Sequence, residues 1–158
     1  MYKRQQIKLI NKFILRSFFH AIGVSLWFYS MTVITIAEVT AIGYLTPIFV
    51  CIGAIILFKE NIKGFRAFAI TLSFIGAMII LRPGFQEVNL GQYSMLLAAF
   101  VFSFSYLMVK YLANTKSSLE IVGFLSIFTT IFLTPLALIN WVELNADQFS
   151  IIILISII

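Results

Sequence analysis

Charge is what this chain has least of. Only 11% of its 158 residues are charged and 61% are hydrophobic, against about 25% and 45–50% in a soluble domain. That leaves too little polar surface to cover a water-soluble globule, so the chain reads as an integral membrane protein. Cysteine occurs once, at Cys51. One thiol excludes an internal disulfide, and its apolar neighbours point to packing. Histidine also occurs once, at His20, with no second histidine or cysteine near it, so no metal site is expected. Paired interior acids, a glycine-rich phosphate loop and a nucleophile–base set are all lacking. Nothing therefore points to an enzyme or to a cofactor. The net charge is +5, but the bases flank apolar runs, which does not imply nucleic acid.

What is present is long apolar sequence. The first run passes well beyond the 7–15 residues of a signal-peptide core and has no small-x-small cleavage site, so it reads as a retained span. From Ser17 to Phe58 the only charge is Glu38. One helix of that length would reach about 63 Å, twice a hydrocarbon core of about 30 Å. The run must fold back, and "TVITIAEVT", Thr32 to Thr40, is its most polar point. This predicts helices at about 17–36 and 40–58, then a polar turn at Lys59–Arg66. A helix at about 66–81 ends at "RPGFQE", Arg82–Glu87, and further helices follow at about 91–111 and 120–140. The closing "QFSIIILISII" is too short to cross a bilayer. The expected fold is all-α: a polytopic transmembrane helix bundle of five full spans plus a partial sixth.

Orientation follows from lysine and arginine. Lys3, Arg4, Lys8, Lys12 and Arg16 precede the first span. Lys59, Lys63 and Arg66 follow the second, and Lys110 and Lys116 follow the fourth. If the spans alternate, all of these share one side. Arg82 falls on the other, with Glu38, Glu87, Glu143 and Asp147. The N-terminus is expected in the cytoplasm and the protein in the cell inner (plasma) membrane. Trp141 falls at an expected outer interface, where tryptophan is favoured. Arg4, Lys8, Lys12 and Arg16 recur every fourth residue. Residues 1–16 thus read either as simple cytoplasmic anchoring or as an amphipathic segment on lipid headgroups.

The stretch "YLTPIFVCIGAIILFKE", Tyr44 to Glu60, sets a proline early in one span and an acid just after it. Pro47 removes an N–H that would bond the Gly43 carbonyl. In lipid a freed group must find a neighbouring helix, a hydroxyl or water. "AIGYLTP", Ala41 to Pro47, is therefore either a packing kink or a weakened segment lining a solute path. Glu60 lies beside Lys59, Lys63 and Arg66, where it would pin the turn as a structural clamp. Ala69, Ser73 and Ala77 form a small face for close helix packing. Within the spans the polar residues are mild, among them Tyr29 on the first and Ser103 and Tyr106 on the fourth. They suit either interhelical packing or a weakly hydrogen-bonded organic solute.

The order of these features resembles the EamA-type branch of the drug/metabolite transporter superfamily. The resemblance rests on "FYSMTVITIAEVTAI" (Phe28–Ile42), "LTPIFVCIGAIILFKENI" (Leu45–Ile62), "FRAFAITLSFIGAMIILRPG" (Phe65–Gly84, with Gly76 late in the span) and "GQYSMLLAAFVFSFSYLMVKYL" (Gly91–Leu112). It implies a ten-helix fold of two inverted repeats. Residues 17–84 would be the last three helices of the first repeat, and 91–158 the opening of a second, truncated one. It also implies a permease for a small organic metabolite or drug-like solute, working by alternating access. The cavity candidates are then Tyr29, Gly43, Tyr44, Thr46, Pro47, Ser103 and Tyr106, with Glu60 as the clamp. Expected partners are membrane lipid, the small-molecule solute, and a complementary chain or homo-oligomer. The alternative is a truncated remnant without independent transport, acting at most as an embedded assembly partner.

Overall fold

Lipid offers no partner to a backbone N–H or C=O, so an apolar chain must satisfy those groups within its own helices. A computed structural model describes residues 2–61, 63–81 and 89–157, and among these every regular element is an α-helix. The elements are α1 (Tyr2–Val33), α2 (Ile36–Gly43), α3 (Thr46–Phe58), α4 (Gly64–Leu81), α5 (Leu90–Leu112), α6 (Ser118–Ile139) and α7 (Ala146–Ile157). Among the described residues four stretches are long and apolar enough to cross a membrane: Leu9–Val33, Ile36–Phe58, Leu90–Leu112 and Ser118–Ile139. The apolar parts of α4 and α7, Gly64–Ile79 and Ala146–Ser156, are shorter. The chain is thus an all-helical, multi-pass membrane protein. The turn expected at Arg82–Glu87 lies outside the described residues, as do the side chains of Lys3, Arg4 and Lys8.

The first helix is longer than the sequence pattern predicts. It passes without a break through the basic residues, and its apolar stretch begins at Leu9. The reason is packing: Phe13 is buried against Leu112 and Ile121, with Leu9 beside them. Arg16, expected among the cytoplasmic anchors, is only 4% exposed, and its Nη1 donates to the Ile121 carbonyl at 2.8 Å. Lys12 instead lies 3.3 Å from the centre of the Tyr111 ring.

The fold-back falls where the sequence is most polar. Thr35 caps α2, and Glu38 closes the box by accepting from the Thr35 N–H at 3.1 Å. Asn89 and Gln92 repeat the device at the start of α5. The two caps are joined, because Gln92 Nε2 donates to Glu38 Oε1 at 2.8 Å. α5 is the central helix, packing against α1, α2 and α3. Ala98 and Ala99 on it are fully buried and let those neighbours approach. α5 runs antiparallel to α1: Tyr111 meets Lys12, Phe104 stacks on Phe19 at 5.6 Å, and Ser94 Oγ donates to the Leu26 carbonyl at 3.1 Å.

At the opposite end, Lys59 takes a left-handed conformation (φ 53°) and stops α3. Glu60 then pairs with Lys110 of α5, and not with the neighbouring bases of its own turn as expected. The turn at Lys59 presents the carboxylate to a helix 50 residues away in sequence. The Lys110 ammonium also sits over the Phe58 ring at 4.7 Å. The small face of α4 is used only in part: Ala77 is buried in the core with Ile42 and Met95, whereas Ala69 is exposed.

Two predictions follow from this packing. A Cβ at Gly91 would meet Ile34 and Val33 at 2.8–2.9 Å, whereas one at Gly76 meets nothing within 4 Å. Gly91→Val should therefore cost about 1–3 kcal/mol by overpacking. Gly76→Ala should be neutral or gain up to ~1 kcal/mol of helix propensity, as read by thermal unfolding in detergent. Separately, the hydrogen bond from Lys110 holds the Glu60 carboxyl below the usual carboxylate range. A lowered folded-state pKa stabilises above the unfolded value, and that stability is lost as pH falls through the folded one. Acidification should thus release the α3–α5 tie, and Glu60→Gln should flatten that part of the fall in melting temperature.

Candidate functional site

The site is built around the missing N–H of Pro47. α2 stops at Gly43, Tyr44 N–H bonds the Thr40 carbonyl at 3.2 Å, and Leu45 N–H bonds the Ile42 carbonyl at 2.9 Å. The chain then restarts with Ile48 N–H on the Leu45 carbonyl at 3.0 Å, and Pro47 sits in the first turn of α3. Proline is tolerated there, because a first-turn N–H has no helical partner anyway. The expected weakened segment is thus a two-residue lapse in the helical hydrogen bonding inside one span-length stretch, Tyr44 and Leu45 keeping right-handed helical dihedrals. Ser73 Oγ of α4 comes within 3.5 Å of the Tyr44 carbonyl at the break.

Beside the break lies an open cavity of about 530 Å³, with Tyr44 and Tyr106 about half exposed at its edge. Gly43, Tyr44, Thr46 and Pro47 form one wall, continued by Val50 and Cys51. Phe102 and Tyr106 of α5 form the other, their ring centres 6.4 Å apart. A Cβ at Gly43 would lie 3.4 Å from Met95 of the core, an ordinary contact, so a side chain as small as alanine fits there. Among the described residues no charged side chain lines the cavity; its polar groups are the hydroxyls of Tyr44, Thr46 and Tyr106 and the Cys51 thiol. Such a lining can stack an organic ring and hydrogen-bond it weakly. Among the described residues no three His, Cys, Asp or Glu side chains gather to hold a metal.

Of the residues singled out from sequence, the structure brings Gly43, Tyr44, Thr46, Pro47 and Tyr106 together. Tyr29 and Ser103 stand apart. Tyr29 is exposed on α1, and Ser103 is buried with its Oγ donating to the Phe100 carbonyl of its own helix at 2.6 Å. Glu60 lies beyond the C-terminus of α3, outside the cavity. Sequence reasoning missed Val50, Cys51 and Phe102. Helical spacing was the available signal: Val50 and Cys51 lie three and four residues after Pro47, and Phe102 lies four before Tyr106.

Comparison with known proteins agrees with this architecture. The EamA-like transporter family matches residues 2–82, the stretch holding α1 to α4 and the interrupted helix. A riboflavin transporter of Vibrio cholerae is 34% identical over 129 residues, covering 81% of this chain and 43% of the relative. A riboflavin transporter of Brucella anthropi is 28% identical over 131 residues, 83% of this chain and 45% of that protein. An S-adenosylmethionine uptake transporter of Rickettsia prowazekii is 23% identical over 157 residues, 98% of this chain and 53% of the relative. The chain spans about half the length of the curated relatives it matches. No solved structure matches. The relatives are named as transporters and not as enzymes, and the chain belongs to the EamA-like transporter family, within the drug/metabolite transporter superfamily.

Proposed function

We propose that the chain contributes a solute cavity to a permease that moves a small organic metabolite or drug-like solute across the inner membrane by alternating access. The observation that carries this reading is the open cavity beside Pro47, about 530 Å³, with no charged side chain among the described residues that line it. Irregular backbone at membrane depth is tolerated where it lines such a space. The rings of Tyr44, Phe102 and Tyr106 support a solute with a flat aromatic part, and three hydroxyls support weak hydrogen bonds to it. Riboflavin and S-adenosylmethionine, named for the relatives, both carry planar nitrogen-containing rings.

In this reading residues 17–84 end a first repeat of a ten-helix fold, residues 91–158 open a second, and α4 is the fifth span. The N-terminus lies in the cytoplasm, behind the basic segment 1–16. Bases at the ends of α3 and α5 and in the loop before α6 support that orientation. Alternating access needs two repeats that rock about a shared site; further sequence of the same protein, a complementary chain or a second copy would supply the rest of the second repeat. Tyr29 and Ser103 stand outside the cavity, and Glu60 clamps α3 to α5 through Lys110.

Cys51 gives a direct test, since it is the single cysteine and lines the cavity. Riboflavin or S-adenosylmethionine should slow maleimide labelling of Cys51 in the purified chain. Labelling rates indifferent to every solute in a metabolite panel would contradict the reading. Pro47→Ala should let the helix close across the break. In a transport-competent assembly, flux should fall by about tenfold, as loss of ~1.4 kcal/mol would give, while membrane insertion persists. Unchanged flux would return Pro47 to a packing role.

A further inference from the structure

Hydroxyls inside helices usually bond back to a carbonyl three or four residues earlier. Ser25 does so to Ala21 at 2.9 Å, Thr130 to Ser126 at 2.8 Å and Thr134 to Thr130 at 2.7 Å. Ser17 and Ser105 do not, although both are fully buried, and neither does the buried Thr129 Oγ1. Two bases of α1 share the condition: Arg16 Nε and His20 Nδ1 are buried without a partner. Buried polar groups are normally satisfied, so an unpaired set calls for an explanation.

These groups lie at one level of the bundle. Phe13 meets Phe124 at 4.8 Å, Phe18 meets Phe132 at 5.7 Å, and Phe19 meets Phe104 at 5.6 Å. Those contacts bring the turns of α1 that hold Arg16, Ser17 and His20 to the level of Ser105 on α5 and of Thr129 on α6. The layer is rich in donors and carries a guanidinium that is only 4% exposed. Arg16 spends one N–H on the Ile121 carbonyl. The acid next to that residue, Glu120, is occupied by Lys116 at 2.7 Å and by the Ser117 cap. Among the described residues no carboxylate pairs with Arg16. A buried cation is costly unless an anion and further hydrogen bonds satisfy it.

We propose that this layer is a binding site for a small oxyanion, a carboxylate or phosphate group, received by Arg16 and the hydroxyls of Ser17 and Ser105. Arginine presents a planar donor fork that matches such groups, and hydroxyls complete their coordination. The layer adjoins the cavity, since the His20 ring packs at 5.1 Å on Phe102, which lines it. The site stands without the transport reading, because it rests on unpaired donors and not on flux.

The test uses the full chain in phosphatidylcholine nanodiscs, with potassium acetate or inorganic phosphate exchanged for chloride at constant ionic strength. A saturable rise in melting temperature is expected. Ser105→Ala should weaken the apparent affinity about tenfold, the worth of one hydrogen bond to a charged group. Arg16→Gln should abolish the rise, and Ser25→Ala should leave it intact. A third arm replaces part of the lipid by phosphatidylglycerol with no added anion. A Ser105-dependent rise in that arm alone assigns the oxyanion to a lipid headgroup, and one with acetate or phosphate assigns it to a soluble solute. If Arg16→Gln fails to fold, Ser105→Ala decides by itself. No Ser105-dependent rise in any arm would overturn the proposal.

Discussion

The constraint on which the structure depends is backbone saturation in lipid. A chain with so few charged residues must lie in the bilayer, and there each N–H and C=O must be paired inside the protein. Helix is the answer along most of the chain. Two prolines in the described spans have no N–H to give: Pro135 is carried inside α6, whereas at Pro47 the helix breaks. The chain resolves that defect by ending α2 at Gly43 and starting α3 at Thr46, so the proline falls in a first turn. The interruption leaves the cavity wall of Gly43, Tyr44, Thr46 and Pro47 facing Phe102 and Tyr106. A local backbone rule thereby sets the position of the candidate site.

The helix ends are held by polar contacts that lipid does not compete with. One end joins two capping boxes, Thr35–Glu38 and Asn89–Gln92, through the Gln92–Glu38 hydrogen bond. The other joins α3 to α5 through Glu60 and Lys110, and α1 to α5 through Lys12 and Tyr111. α5 takes part in all of these, and its Ala98, Ala99 and Ser105 are fully buried. The cavity is therefore bounded by a helix fixed at both ends on one side and by an interrupted helix on the other.

Much of this was legible in the sequence, because hydropathy and the positions of proline and charge are local signals. The helical runs, the fold-back near Glu38 and the weak point at Pro47 could be read directly. Contacts between distant residues could not. The partner of Glu60 lies 50 residues away, so nearby bases looked like the natural choice. Arg16 belongs to a basic series by spacing, yet Phe13 draws that turn of α1 into the bundle. Ser103 was preferred for its hydroxyl, but it is one residue from the cavity-facing Phe102, about 100° round the helix. The capping boxes were visible as Thr-x-x-Glu, Asn-x-x-Gln and Ser-x-x-Glu ahead of apolar runs. Reading them would have placed the starts of α2, α5 and α6 within a residue.

The central claim is that the spans alternate, so that the Lys59–Arg66 turn and the C-terminal end of α6 face opposite sides of the membrane. In a Cys51→Ser background, Lys63→Cys and Glu143→Cys can each be exposed to a membrane-impermeant maleimide on intact cells. The account predicts labelling of the Glu143→Cys protein from outside and of the Lys63→Cys protein only after permeabilisation. Labelling of both from the same side would contradict it.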